Sequence, residues 1–231
     1  MTLVEPALSG DRPQWLTAIV TATENLTAAE LSRVVPQSEP PRSARRSAVL
    51  LLFGEQPAGP DLVLIERAHG MRSHAGQLAF PGGAADGAER AVETALREAR
   101  EEIGLDPAGV DVLAELPALW LPPSNYAVTC VLGWWRAQSP VGVVDPVEVA
   151  AVLRVPLAHL VDPARRVTVV HPLGWRGPGF EIDHPDGAEP LVLWGFTAGV
   201  VDRLLWHADL ARPWDSARTV AAPGAVSWER R

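Results

Sequence analysis

GAADGAERAVETALREAREEIGL, running from Gly83 to Leu105, carries two patterns at once. The first is a helix. Val92, Ala95, Leu96, Ala99 and Ile103 recur at helical spacing, which predicts an amphipathic helix from about Glu89 to Ile103 lying on a sheet. Gly104 supplies a left-handed cap and Pro107 prevents resumption. The second pattern is charge. Glu98 and Glu102 are four residues apart and Glu101 is three from Glu98, so the three carboxylates project from neighbouring helical positions. Like charges so placed destabilise a helix by a few tenths of a kcal/mol per contact. A hard divalent cation among them would remove that cost, because such ions take oxygen ligands. The competing reading is a solvated face on which Glu93, Arg97 and Arg100 make ordinary spaced ion pairs.

What favours the metal reading is register. Gly83, five residues, Glu89, seven residues, Arg97-Glu98, two residues, Glu101-Glu102, one residue and Gly104 together match at random on the order of once in 10^8 registers. This segment resembles the box of the Nudix hydrolases. The resemblance implies Mg2+ or Mn2+ as cofactor, Glu98, Glu101 and Glu102 as metal ligands, and hydrolysis of a diphosphate. Glu89 and Arg97 read as supports that orient the helix and its ligands. Gly82 and Gly83 make either a turn or a place where backbone approaches a phosphate-bearing ligand.

A second block, residues 64–83, runs directly into the first: LIERAHGMRSHAGQLAFPGG. Arg67, Ala68, Arg72, Gly76, Phe80, Pro81, Gly82 and Gly83 fit the additional motif of the coenzyme A pyrophosphatase branch of the Nudix family, which this segment resembles. The hydroxyl residue that leads that motif is replaced by Ile65. Planar guanidinium groups suit bidentate phosphate binding, so Arg67 and Arg72 are candidate holders of substrate phosphates, the alternative being surface ion pairs.

Composition excludes several classes. The 231 residues suit one sizeable core and short extensions. With 47% hydrophobic and 21% charged residues the chain reads as globular. No apolar run reaches the roughly 20 residues that span a bilayer, and no basic segment followed by an apolar core opens the chain, so a cytoplasmic protein is expected. A net charge of −8 argues against nucleic-acid partners. All 20 basic residues are Arg, which excludes a Walker lysine and a Schiff base. The same bias, with abundant Ala, Gly and Pro, points to a GC-rich bacterial genome. Cys130 is the sole cysteine, which rules out an internal disulfide; its apolar neighbours predict a buried small hydrophobe.

Along the chain, residues 1–45 read as an extension in which Thr27 and Glu30 form a capping box before a short helix, followed by a Pro-rich linker. Strands are predicted at Ala48–Phe53, Asp61–Glu66, Val110–Glu115, Tyr126–Trp135 and Val149–Val155, a short helix at Leu157–Leu160, and a final helix from Trp194 to about Ala208. This order suits the fold that the resemblance implies, a Nudix domain over residues 46–210 of α/β class with a mixed sheet sandwiched between helices. Residues 211–231 read as a loosely held tail. Asn125 stands where the family tends to carry Gly in a turn, and Asn tolerates left-handed geometry. Glu148, opening a strand, is a candidate base or extra ligand, or a solvated strand-end carboxylate. With Glu98 and Glu101 it completes the candidate catalytic set.

The resemblance thus implies a pyrophosphatase that cleaves coenzyme A or its derivatives to 3',5'-ADP and 4'-phosphopantetheine. The expected partner is a small nucleotide, with no nucleic acid or membrane and with a homodimer left open. Two alternatives stand beside it: the same chemistry on ADP-ribose, a dinucleotide or a damaged nucleoside triphosphate, and a Nudix-fold sensor without turnover.

Overall fold

Pro13 lacks a backbone N–H, and the first helix begins directly after it, α1 spanning Gln14–Thr23 in the computed structural model, which describes residues 12–33, 39–71 and 73–224. The capping box forms as predicted: the Glu30 N–H donates to the Thr27 hydroxyl at 3.3 Å and the Thr27 N–H to the Glu30 carboxylate at 2.9 Å, opening α2, Ala28–Leu31. The chain continues through β1 (Arg45–Gln56), β2 (Gly59–Arg67), β3 (Leu78–Ala79), β4 (Gly82–Ala84), α3 (Ala91–Ile103), β5 (Val110–Glu115), β6 (Leu119–Leu121), β7 (Tyr126–Trp135), β8 (Val149–Pro156) and α4 (Leu157–Leu160). It ends with β9 (Arg166–Val170), β10 (Arg176–Ile182), β11 (Leu191–Leu193), α5 (Gly195–His207) and β12 (Thr219–Ala221). Every strand predicted from sequence lies within an observed one.

The main sheet runs β3-β2-β1-β7-β5, with β4 also on β1, β6 on β7 and β8 on β2. It is mixed, since β1 and β7 are parallel and the other pairs antiparallel. The apolar run in β1 is explained by burial on both faces. Ala48, Leu50 and Leu52 join the cluster beneath α3, while Leu51 and Phe53 join the larger core that holds Leu16, Ile19 and Leu31 together with Leu204 and Leu205 of α5. Helices therefore cover both sides, the α/β arrangement read from the sequence. Asn125 is left-handed at φ 53°, as its place in the turn required, and its side-chain amide donates to Ser43 O at 3.1 Å. Cys130 is fully buried, as expected, which pushes its thiol up to about 12.

Three features differ from the sequence reading. A second sheet, β11-β10-β9-β12, stands beside the first. The tail expected to be loose after Arg212 instead enters that sheet, where Thr219–Ala221 pair in parallel with Thr168–Val170. Such pairing is invisible locally, because a three-residue strand gains its hydrogen bonds from a segment about 50 residues away. Helix α1 was also unforeseen, and Arg203 of α5 fastens the segment after it by donating from Nε to Glu30 O at 2.8 Å.

Candidate active site

The site is assembled where α3 presses on β4. Gly82 and Gly83 lie in a short strand paired with Val49 and Ala48, in place of the turn considered from sequence. Gly82 has φ 151°, and a Cβ there would stand 2.4 Å from Ala48 O. A Cβ on Gly83 would stand 2.5 Å from the Glu98 carboxyl carbon. The two glycines therefore allow the helix to bring carboxylates against bare backbone. At the far end Gly104 adopts the predicted left-handed cap at φ 73°, its N–H donating to Arg100 O at 3.0 Å.

The three box carboxylates are not equivalent. Glu102 is buried, and its Oε2 accepts from the Gly82 N–H at 2.9 Å. Burial first, then the charges of Glu98 and Glu148, push its carboxyl up to about 8 against the opposing pull of the Gly82 N–H and Arg67. Glu98 is half-buried and also raised by burial, with Arg97 opposing and Glu101 and Glu148 adding repulsion. Glu101 has 59% of its side chain exposed and is held by Arg97.

Glu148, an exposed residue, comes within electrostatic range of Glu98 and Glu102 by a route the sequence did not disclose. In the loop between β7 and β8, the Gly142 and Val144 N–H groups donate to Ile103 O and Glu102 O, each at 3.0 Å, satisfying the open carbonyls at the end of α3. Asp145 then turns the chain. Its carbonyl accepts from the Glu148 and Val149 N–H groups at 3.2 and 2.9 Å, and its carboxylate accepts from the Val147 N–H at 2.8 Å. Asp145-Pro146 is the one sequence signal that could have announced this turn.

Arg97 connects the helix to its preceding loop. Its Nε donates to Glu89 at 2.8 Å and its Nη2 to Glu89 and to Ala84 O, each at 3.0 Å. Its Nη1 meets Glu98 at 3.0 Å and Glu101 at 2.9 Å. Hydrogen bonds from Arg97 first, then from the Asp86 N–H and the Thr94 hydroxyl, hold Glu89 down at about 2. Glu93 pairs with Arg90 at 2.9 Å, so the helical ion-pair ladder considered for Glu93 with Arg97 is not the one formed.

The donor chemistry suits a hard divalent cation: Glu98, Glu102 and Glu148 offer only oxygen, and their mutual repulsion is what such an ion relieves. Among the described residues no group of three or more acidic, imidazole or thiol side chains is drawn to coordinating spacing. Arg97 accounts for part of this, since it occupies oxygens of Glu98 and Glu101.

Arg67 ends β2, where the pairing with β8 shifts register between Glu66 and Arg67. It is half-buried, its charge bears on Glu102, and its buried Nε finds no hydrogen-bond partner among the described residues. Arg72 lies outside the described residues.

Residues 43–171 match the NUDIX domain family model. The chain is 36% identical over 178 residues to a protein called uncharacterized Nudix hydrolase NudL from Pectobacterium atrosepticum, covering 73% of this chain and 85% of the relative. It is 37% identical over 163 residues to the protein of that name from Escherichia coli (strain K12), covering 69% and 81%. Among solved structures, a Nudix hydrolase from M. smegmatis, RenU, is 25% identical with a TM-score of 0.40, covering 50% of this chain and 73% of that one. No helix among the described residues is long and apolar enough to cross a membrane. The matched family model spans more than half of the chain, and the chain belongs to the Nudix hydrolase family.

Proposed function

We propose that this chain is a cytoplasmic, Mg2+- or Mn2+-dependent pyrophosphatase that hydrolyses the diphosphate of coenzyme A or its derivatives, giving 3',5'-ADP and a 4'-phosphopantetheine species, with residues 46–210 as the hydrolase domain. The observation that carries the substrate assignment is the block from Arg67 to Gly83, which runs in register into the box and ends on the two glycines that receive α3.

Glu98 and Glu102 are the proposed principal ligands, with Glu101 or Glu148 completing the set. Bound cation supplies charge neutralisation at the diphosphate and eases deprotonation of the attacking water. Glu98, Glu101 and Glu148 are the candidate bases that take the water proton as the new P–O bond forms and the bridging P–O bond breaks. Arg67 and Arg72 hold phosphate oxygens, and the half-buried guanidinium of Arg67 gives directional N–H donors beside Glu102. Arg97 and Glu89 fix where α3 meets β4, so that the carboxylates face the ligand in one geometry.

The test is a substrate panel with Mg2+ or Mn2+ present and absent, following nucleotide products by chromatography. Coenzyme A should be cleaved with the highest kcat/KM, and only with metal. A tenfold or greater preference for ADP-ribose, a dinucleotide or a nucleoside triphosphate overturns the substrate, and failure to turn over any of them favours a ligand sensor.

A further inference from the structure

Glu66 has no part in the chemistry outlined above, yet it is the residue before Arg67 and its side chain is only 3% exposed. A carboxylate so placed requires partners. Two imidazoles lie against it, one at each oxygen. Oε1 lies 3.1 Å from His69 Nε2, and Oε2 lies 3.7 Å from His184 Nε2. His184 Nδ1 accepts from the Asp186 N–H at 3.1 Å, so the neutral ring carries its hydrogen on Nε2, the nitrogen that faces Glu66.

The two histidines belong to different parts of the molecule. His69 sits in the loop between β2 and β3, which is closed at its base by Arg67 N–H to Gln77 O and Gly76 N–H to Arg67 O, each at 3.0 Å. Its ring rests over Gly76, where a Cβ would lie 3.0 Å from both Cε1 and Nδ1 and where φ is 67°. His184 comes from the connection between β10 and β11, beyond residue 171 where the family match ends. The register shift at Glu66/Arg67 leaves the end of β2 less constrained by its ladder than the rest of the strand.

We propose that His184 and His69, through Glu66, form a latch by which the second sheet fixes the position of Arg67 and of the loop it opens, making Glu66 and His184 positioning residues for diphosphate binding. This rests on the reading that Arg67 holds a substrate phosphate. The trio is a carboxylate held between two imidazoles, His69 in close contact and His184 just beyond hydrogen-bond length, and among the described residues no group of three or more such side chains has metal-coordinating spacing. Pinning a guanidinium before the ligand arrives reduces the ordering cost at binding, so the latch acts on KM.

The test uses the full chain carrying His184→Ala, His184→Gln, His69→Ala or Glu66→Gln. Hydrogen exchange of residues 67–78, measured without substrate, should quicken in H184A and H69A, and H184Q, which keeps an N–H donor, should restore it. With coenzyme A, H184A and E66Q should raise KM by about tenfold while kcat stays within about threefold. Should E66Q fail to fold, H69A serves in its place, because that ring is exposed. Unchanged exchange in both H184A and H69A overturns the latch whatever the substrate proves to be. A wild-type preference for another diphosphate overturns only the substrate assignment, and the KM comparison then moves to that compound. Equal losses in kcat for every variant, with unchanged KM, also overturn the latch.

Discussion

The Gly82 N–H donates to Glu102 Oε2 across 2.9 Å, fastening the last turn of α3 to a strand twenty residues upstream. That bond couples two otherwise separate requirements. Gly82 must have no side chain, because a Cβ would strike Ala48 O, and Glu102 must be buried, because the donor it meets is the backbone N–H of a residue in β4. The carboxylate proposed as a principal metal ligand is thus oriented by the bare backbone that immediately precedes the box.

The two glycines should respond differently to alanine. At Gly82 the φ of 151° and the backbone collision leave no escape, so Gly82→Ala should cost at least about 2 kcal/mol of stability. At Gly83 the obstructing atoms end a side chain that can move, so Gly83→Ala should keep most of the melting temperature and lose turnover as Glu98 is displaced. Thermal denaturation and kcat of the two variants decide this; equal melting temperatures would contradict it.

Glu102→Gln preserves volume and can still accept from Gly82 N–H. It replaces a carboxylate that burial and two neighbouring acids disfavour, so stability measured in chelator should equal or exceed that of the parent. Turnover with saturating Mg2+ should fall by about 100-fold or more, because a neutral amide is a poor ligand for a hard ion. Chelation of the parent protein should abolish activity and readdition of Mg2+ restore it. Near-normal turnover of the variant with an unchanged metal optimum would remove Glu102 from the ligand set.

How far the sequence revealed this arrangement depends on the range of each interaction. Helix α3 was legible because Ala95, Ala99 and Ile103 repeat within one element and Gly104 marks its end. Strands β1, β2, β5, β7 and β8 of the main sheet were legible as runs rich in apolar residues, whereas the two- and three-residue β3, β4 and β6 carried no such run and were not foreseen. In β10, by contrast, Gly177-Pro178-Gly179 reads as a turn, and that strand exists because β9 and β11 pair on either side of it. The partners of Arg97 divide in the same way. Glu101 is a helical neighbour, whereas Glu89 precedes the helix and meets Arg97 only after the loop folds back. Glu66 and His184, 118 positions apart, share no local pattern at all.

Glu89 offers a test through pH. Its carboxyl is held at about 2 in the folded protein against 4.5 ordinarily, so it favours folding above pH 4.5 and that contribution disappears as pH falls toward 2. Glu89→Gln should lower the melting temperature at pH 7 and flatten its decline between pH 4.5 and 2. Melting curves across that window, recorded in chelator, provide the measurement. Parallel curves for parent and variant would mean that the Arg97–Glu89 pair contributes nothing to acid stability.

Arg67→Ala separates a phosphate contact from a structural one. The side chain is half-buried and its Nε lacks a partner among the described residues, so truncation breaks no hydrogen bond at that nitrogen. The melting temperature should therefore shift little, while KM for coenzyme A should rise by about tenfold or more as a charge-assisted contact is lost. Dephospho-coenzyme A distinguishes which phosphate is held. If Arg67 reads the diphosphate, beside Glu102, both substrates should be penalised alike; a penalty confined to coenzyme A would assign it to the 3'-phosphate. Unaltered kinetics on both, or a stability loss large enough to account for the activity, would show that Arg67 serves the sheet and not the substrate.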